Sequence, residues 1–235
     1  SLQTKAFFDY KELFGQVQAV SISVPTVNHY QIAREFLLSG INVLVEKPFT
    51  TTLKEADSLL KIARDKKLLV QVGHIERFNS AFEAIKHICK DPKFIEVHRL
   101  SGFPGRSLDI GVVLDLMIHD IDIILGLIDS PIKRVEAVGI NVLTKYEDIA
   151  NVRLTFKNGC VANLTASRIS DESMRKIRVF LPHTYISLDY KNEEANIYRK
   201  DGEKITKEAI WIKKEEPLKK ELSSFLDCVI HKQRP

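Results

Sequence analysis

The sequence predicts an α/β protein: half of a doubly wound parallel sheet, followed by an α+β domain with a large, mostly antiparallel open sheet. Up to Gly73, apolar strands alternate with amphipathic helices, an order that implies parallel strands and right-handed crossovers. After Gly73 strands dominate, and an Asn-Gly pair at 158–159 separates two alternating apolar runs. These observations divide the chain into two domains, residues 1–73 and residues 74–235.

The first domain is predicted to contain three strands and two helices. The strands are apolar runs rich in β-branched residues, and the helices have apolar residues three and four positions apart. Thr52 and Glu55 form a capping box, which predicts the start of the second helix. The predicted elements are a strand at 17–24, a helix at 28–39, a strand at 41–45, the helix from Thr52 and a strand at 68–72.

The helices of the second domain are predicted from caps and apolar spacing. Ser80 and Glu83 form a second capping box, which predicts a helix as far as Cys89. A strand at 94–100 then leads through a glycine- and proline-containing loop into one continuous apolar helix. Pro217 predicts the start of a last helix. Its inward-facing residues are predicted to be Leu218, Leu222, Phe225, Leu226 and Val229.

The rest of the second domain is predicted as an antiparallel sheet with helices on one face. Asn158 and Gly159, between two alternating runs, predict a hairpin with a tight type I′ turn. Because the other face of an open sheet needs covering, we expect a homo-oligomer, either a dimer or a tetramer. The predicted strands lie at 135–143, 151–156, 160–167, 177–181, 185–190 and 195–198.

The composition indicates a cytoplasmic globular protein. Of the 235 residues 44% are hydrophobic, which is enough for a core. A formal charge of +4 without a basic stripe argues against nucleic acid as a partner. Ionisable groups within the longest apolar stretch, residues 110–128, argue against a membrane span. Cys89, Cys160 and Cys228 lie far apart in apolar contexts and are expected to be reduced.

The continuous apolar helix contains several ionisable residues in the run 115–122 (DLMIHDID). Asp115, His119 and Asp122 are spaced so that they share one helical face. Burying such groups is costly unless they are paired or functional. Two interpretations are open: a core histidine whose tautomer is held by Asp115, or a catalytic site.

A second candidate group is Glu46-Lys47-Pro48, at the carboxyl end of a buried strand. The strand at 41–45 follows the helix-stop glycine Gly40, and Pro48 prevents the strand from continuing. In open α/β sheets, ligands bind at the carboxyl ends of the strands. Lys47 is therefore either a solvated loop lysine or a group directed into a ligand-binding crevice.

Together these motifs resemble the Gfo/Idh/MocA family of NAD(P)-dependent oxidoreductases, and the resemblance extends along the whole chain. It implies a Rossmann dinucleotide-binding domain, followed by a domain for substrate binding and oligomerisation. Within the family, the sequences of these motifs look most like those of the branch that acts on UDP-N-acetylglucosamine. The matching motifs are Ser23-Val24-Pro25-Thr26 with His29, Glu46-Lys47-Pro48, Gly73-His74-Ile75-Glu76-Arg77-Phe78-Asn79, and Gly111, Asp115 and His119 in Gly-x-x-x-Asp-x-x-x-His.

The resemblance implies that a secondary hydroxyl of a sugar or nucleotide-sugar, such as the 3-hydroxyl of UDP-N-acetylglucosamine, is oxidised by NAD or NADP. Such a reaction needs a base within reach of the hydroxyl proton. Lys47, Asp115 and His119 are the catalytic candidates. Either Lys47 or His119 is the base and the other stabilises negative charge on the oxygen, while Asp115 orients them.

The resemblance also implies which residues contact cofactor and substrate. An arginine fork suits the diphosphate of a nucleotide-sugar. The cofactor is expected to contact Ser23, Pro25, Thr26, His29, Glu46 and Lys47. The substrate is expected to contact Arg77, Asn79, Arg99, Arg106 and His119.

One departure from the family pattern concerns the pyrophosphate site. The family's first domain opens with a Gly-x-Gly-x-x-Gly turn, and this chain contains no such motif. We therefore expect a fragment of a longer enzyme, which by itself is inactive and binds dinucleotide weakly. The alternative is an interaction or regulatory protein that kept the fold and lost cofactor binding.

A metal-dependent hydrolase is the other alternative from a different class of function. Asp115, His119, Asp120 and Asp122 would then be the metal ligands, because Asp and His four residues apart on a helix can share an ion. Asp120, however, points away from the Asp115/His119 pair, and no second histidine cluster completes a site. No metal is therefore expected.

Overall fold

The computed structural model describes residues 4–103 and 110–234, and it divides the chain into two compact units. The first unit combines Ser1–His74 with Leu218–Pro235, and the second is Ile75–Pro217. The division after His74 lies one residue from the predicted boundary. The C-terminal segment, which we predicted in the second domain, groups with the first unit instead, so that part of the prediction is wrong.

Five α-helices and eleven strands lie within the described residues. The helices are α1 (His29–Leu38), α2 (Leu53–Lys66), α3 (Ser80–Lys86), α4 (Ile118–Leu127) and α5 (Pro217–His231). The strands are β1 (Ala19–Ile22), β2 (Asn42–Glu46), β3 (Val70–Gly73), β4 (Phe94–Leu100), β5 (Ile132–Ile140), β6 (Ile149–Phe156), β7 (Val161–Ser167), β8 (Met174–Leu181), β9 (Thr184–Asp189), β10 (Glu194–Asp201) and β11 (Lys204–Ile210).

The first unit is built on a parallel sheet with the strand order β1-β2-β3, as the alternation of strands and helices predicts. The predicted capping box begins α2, with the Glu55 N–H donating to Thr52 Oγ1 at 3.3 Å. One face of the sheet packs against α1 and α2. The core there includes Val43, Val45, Phe36, Leu37 and Leu59.

The second unit contains an eight-stranded sheet in the order β11-β10-β9-β8-β4-β7-β6-β5. All neighbouring strands are antiparallel except β4 and β7, which are parallel, so the α/β and α+β classes are confirmed. The helices α3 and α4 pack against the sheet. We did not predict β11, because its sequence (KITKEAI) is charged and exposed and becomes a strand through its pairing with β10.

The hairpin at Asn158-Gly159 forms, but the predicted turn type is wrong. A type I′ turn needs a positive φ at both central residues, whereas here Gly159 has a φ of 88° and Asn158 does not. The Gly159 N–H donates to Phe156 O at 3.1 Å, and the Phe156 N–H donates to Cys160 O at 2.9 Å. This is a three-residue loop in which glycine takes the left-handed position of a bulge.

The start of α3 also differs from the prediction. Asn79, not Ser80, is the cap, because its side chain accepts the Ala81 N–H at 2.9 Å. The helix ends at Lys86, before Cys89. Asparagine is as good a cap as serine, so the sequence alone left the choice between neighbouring residues undecided.

The helix that we predicted as continuous begins as a π-helical segment, Val113–Met117, and then becomes α4. Its buried apolar residues include Met117, Ile123 and Ile124, whereas Leu114 and Leu125 are 42% and 46% exposed. The wider π-helical turn changes the rotation of the residues that follow, so a regular helical spacing does not hold along the whole segment.

Among the helices of the described residues, none combines the length and apolar character needed to cross a bilayer. Cys89, Cys160 and Cys228 are free and buried, as their apolar contexts predict. Burial raises the pKa of the Cys89 thiol to about 12, so this cysteine is chemically inert at neutral pH.

Candidate active site

The parallel pairing of β1 and β2 brings two predicted cofactor-binding segments to one edge of the first unit's sheet. Ile22 pairs with Val45, so residues 23–26 and residues 46–48 emerge side by side at the carboxyl ends of the two strands. Ser23 and Pro25 are exposed, and Thr26 and Lys47 are half-buried. Lys47 therefore lies at the edge where open α/β sheets bind ligands.

The side chain of His29 contacts both of these segments. Its ring is 1% exposed, with Nδ1 at 2.9 Å from Pro48 O and Nε2 at 2.8 Å from Val24 O. A neutral imidazole carries one N–H, so either ring nitrogen donates to its carbonyl in the corresponding tautomer. The buried ring therefore contacts main chain on both sides of the edge, and the predicted contact of His29 with the cofactor stays a prediction.

Glu46 is the last residue of β2 and directly precedes Lys47. Its Oε2 accepts the Lys47 N–H at 3.2 Å. A Cβ built on Gly73 would come within 3.0 Å of the Glu46 carboxyl carbon, so the glycine leaves room for this side chain. Glu46 thus fixes the start of the loop that presents Lys47.

Glu221 of α5 is a buried acid that the sequence analysis missed. It is 0% exposed, and within the described residues neither carboxyl oxygen has a hydrogen-bond partner. Burial, together with the charge of Glu46, raises the pKa of Glu221 to about 7. An acid that holds its proton near neutrality therefore lies close to the strand end that precedes Lys47.

The buried face of α5 agrees only in part with the predicted one, since Phe225 is buried as predicted. We predicted that its leucines face inward, but Leu218, Leu222 and Leu226 are 45%, 36% and 53% exposed. The buried residues are Glu221, Phe225 and Cys228. These residues are spaced four and three positions apart, as expected for one face of a helix. The buried face is therefore visible in the sequence once a glutamate is allowed among its apolar residues.

In the second unit, Asp115 lies in the π-helical segment and His119 is the second residue of α4. Both side chains are half-buried. The pair spans the end of the π-helical segment, where the regular α-helical spacing that predicted a shared face does not apply unchanged. The predicted orientation of His119 by Asp115 therefore stays a prediction.

The next acidic residue, Asp120, is explained by an arginine from β4. Arg99 donates from Nε to Asp120 Oδ2 at 2.9 Å and from Nη2 to Asp120 Oδ1 at 2.8 Å, and its Nη1 reaches Glu76 Oε1 at 3.3 Å. Burial would lower the pKa of Arg99, but the charge and hydrogen bonds of Asp120 outweigh burial and raise that pKa. The 4% exposed Arg99 is therefore a structural cation, which argues against its predicted contact with substrate.

Two more of the predicted substrate-binding residues already have partners. Arg77 forms a two-pronged ion pair with Asp122, at 2.7 Å from Nε and 2.8 Å from Nη2. Asn79 caps α3 and donates to Glu76 Oε2 at 3.1 Å. Arg77 is half-exposed and stays a candidate for substrate, whereas Asn79 is better explained by capping. Arg106 lies outside the described residues.

The ion pairs also remove the basis for a metal site. Asp120 and Asp122, two of the four proposed ligands, are each neutralised by an arginine. Within residues 4–103 and 110–234, no group of three or more metal-ligating side chains occurs. The hydrolase alternative is therefore not favoured.

Comparison with known proteins identifies the class to which this fold belongs. A family model described as "Oxidoreductase family, NAD-binding Rossmann fold" matches residues 1–74, and one described as "GFO/IDH/MocA C-terminal domain" matches residues 93–185. The chain is thus built like an oxidoreductase that binds NAD on a Rossmann fold. It belongs to the Gfo/Idh/MocA family of oxidoreductases.

Individual relatives agree with this assignment. UDP-N-acetylglucosamine 3-dehydrogenase of Acidithiobacillus ferrooxidans is 36% identical over 235 residues, covering 97% of this chain and 75% of the relative. A solved structure of that enzyme has a TM-score of 0.92 at 37% identity, covering 98% of this chain and 75% of the other. The NAD(+)-dependent scyllo-inositol 2-dehydrogenase of Bacillus subtilis is 28% identical over 169 residues, covering 66% of this chain and 49% of the relative.

The raised pKa of Glu221 predicts a pH-dependent stability. The folded chain holds this proton up to about pH 7, whereas in the unfolded chain the carboxyl ionises near its ordinary pKa of 4.5. The free energy of unfolding therefore falls as pH rises between these two values. Glutamine does not ionise, so Glu221→Gln lacks this loss of stability. The free energy of unfolding of the variant, relative to that of the wild type, should therefore rise by roughly 2 kcal/mol from the lower to the higher of these pH values.

Urea denaturation at about pH 5 and about pH 8 measures this difference. Glu203→Gln, in the exposed turn between β10 and β11, is the matched control and should behave like the wild type at both pH values. An equal stability difference between Glu221→Gln and the wild type at both pH values would contradict the assignment.

Proposed function

We propose that the protein is an NAD(P)-dependent dehydrogenase that oxidises the 3-hydroxyl of UDP-N-acetylglucosamine. The observation that supports this most is the likeness to the Acidithiobacillus ferrooxidans enzyme of that name, at 36% identity over 97% of the chain. The Rossmann model supports a nicotinamide cofactor. NAD and NADP are both candidates, because the residues that choose between them follow a glycine-rich motif that this chain does not contain.

The residues at the carboxyl edge of the first unit fit such a cofactor. The cofactor, when bound, supplies the acceptor for a hydride. Ser23, Pro25 and Thr26 offer exposed or half-exposed surface after β1, and Lys47 offers a cation after β2. Glu46 and His29 act on this edge indirectly, through the hydrogen bonds that hold its main chain.

Lys47 and His119 are the candidates for the proton chemistry. Oxidation of an alcohol removes the hydroxyl proton as hydride leaves the carbon, so one group must take the proton. The second group stabilises negative charge on the oxygen, and we propose that Asp115 orients His119. Half-burial of all three side chains is consistent with groups that meet a ligand and are also held in place.

The substrate is tested by measuring reduced nicotinamide formation with a panel of nucleotide-sugars, using the full-length natural protein and both cofactors. We expect UDP-N-acetylglucosamine to be oxidised, and UDP-glucose, which lacks the acetamido group, to react more slowly. Activity with inositol and not with any nucleotide-sugar would refute the proposed substrate. Absence of any dehydrogenase activity would refute the proposed reaction.

The catalytic roles are tested by Lys47→Met and His119→Asn in the full-length natural protein. Each should lower kcat by about 100-fold or more, because each removes a group that handles the proton or the developing charge. Lys54→Met and His87→Asn replace exposed residues and should leave kcat unchanged. The variant that loses the acidic limb of the pH profile of kcat/KM identifies the base, and normal kcat in either variant excludes that residue.

We also propose that the protein associates through the open face of the eight-stranded sheet. On that face Phe180, Tyr185 and Tyr198 stack across three strands, with successive ring centroids 4.9 Å apart. Sedimentation should show an oligomer that Tyr185→Arg dissociates, because the arginine would place a charge in the middle of the aromatic row. Val27→Arg, at a 70% exposed apolar residue of the first unit, is the control. A monomeric wild type would contradict this proposal.

A further inference from the structure

A fully buried ion pair joins three parts of the second unit. Arg168 and Asp148 have side chains that are 0% exposed, and they meet at 2.9 Å. Arg168 Nη1 also donates to Ile110 O at 2.8 Å, and Nη2 donates to Thr144 Oγ1 at 2.8 Å. Arg168 directly follows β7. Its guanidinium therefore links this position to the segment before the π-helical turn and to the loop between β5 and β6.

Asp148 determines the conformation of that loop. Its Oδ2 accepts the main-chain N–H groups of Val142, Leu143 and Thr144 at 2.8, 2.7 and 2.9 Å. Burial by itself would raise the pKa of Asp148, but these bonds and Arg168 outweigh burial and lower it. The carboxylate therefore stays charged, and the loop stays closed around it.

The neighbouring residue, Glu147, reaches the start of the π-helical segment. Its main-chain oxygen accepts the Val112 N–H at 2.9 Å, and its Oε1 accepts the Val113 N–H at 3.3 Å. The first N–H groups of a helix have no partner within the helix, so Glu147 acts as a cap supplied from a distant loop. Its carboxylate also occupies the space that a Cβ on Gly111 would need.

We propose that Glu147, held by Asp148 and Arg168, is a positioning residue that sets where the π-helical segment begins and hence where Asp115 and His119 lie. The proposal rests on the proposed function, since it concerns the residues assigned to the reaction. It gives the glycine of the Gly-x-x-x-Asp-x-x-x-His motif a physical role: Gly111 leaves room for the Glu147 carboxylate. A displacement of about 1 Å at a reacting group can cost about 100-fold in rate, so a cap on this turn is relevant to catalysis.

Comparing Glu147→Ala with Glu147→Gln in the 235-residue chain distinguishes the loss of the cap from a general effect on the fold. The alanine variant has no side-chain acceptor for the Val113 N–H, whereas the glutamine variant keeps an oxygen of the same reach. Hydrogen exchange of the amides at 112–117 should become at least about tenfold faster in Glu147→Ala and stay near wild type in Glu147→Gln. Glu136→Ala, which removes an exposed carboxylate from β5, should change nothing.

The same variants in the full-length natural protein test the effect on catalysis. Glu147→Ala should lower kcat by about 10- to 100-fold with the cofactor KM within about twofold, and Glu147→Gln should restore kcat. Unchanged exchange in Glu147→Ala, or faster exchange with unchanged kcat, would overturn the positioning role. A wild type without dehydrogenase activity would refute the proposed function and, with it, any catalytic role of Glu147, while the exchange result would still decide whether Glu147 caps the turn.

Arg168→Lys provides an independent variant should Glu147→Ala fold poorly. A single ammonium cannot span Ile110 O, Thr144 Oγ1 and Asp148 Oδ1 as the guanidinium does. We expect faster exchange both at 112–117 and at 141–147, and the same loss of kcat with little change in the cofactor KM. Normal exchange at 112–117 in this variant would show that the turn does not depend on the ion pair.

Discussion

The buried ion pair between Arg99 and Asp120 is the interaction on which the arrangement of the second unit depends. Two charges in a nearly dry interior are tolerated only as a pair, and removing one partner typically costs about 3–5 kcal/mol. Because Arg99 extends from β4 and Asp120 from α4, the pair fixes the helix over the middle of the sheet. Glu76 joins the same guanidinium. The position of His119 is thereby set through its immediate neighbour in the chain.

The sequence predicted well those features whose causes are local. The alternation of strands and helices predicted the parallel sheet, and the Thr52/Glu55 box predicted the start of α2. Features that depend on distant partners were missed or misassigned. The residues next to Asp120 and Asp122 in the sequence do not indicate that an arginine from another element neutralises each of them. The strand β11 (KITKEAI) is likewise charged and mostly exposed, and it is defined by its pairing with β10.

The candidate site shows the same division between local and distant causes. Short motifs led directly to Lys47, Asp115 and His119, and their chemical roles stay predictions. The sequence also marked His29, and in the structure its ring contacts the main chain of two segments that flank the sheet edge. Glu221 escaped notice because glutamate on an amphipathic helix is normally solvent-facing, and only the packed structure shows it buried beside Glu46.

The position of β4 in the large sheet has a consequence for how the protein folds. This strand lies at the centre, between β7 and β8, so that Phe94 pairs with both Val161 and Phe180. Long stretches of chain must therefore be closed into loops before the middle of the sheet exists, and this closure slows folding relative to a row of successive hairpins. Until β7 and β8 are synthesised, β4 leaves the ribosome with both hydrogen-bonding edges open, which exposes the nascent chain to aggregation.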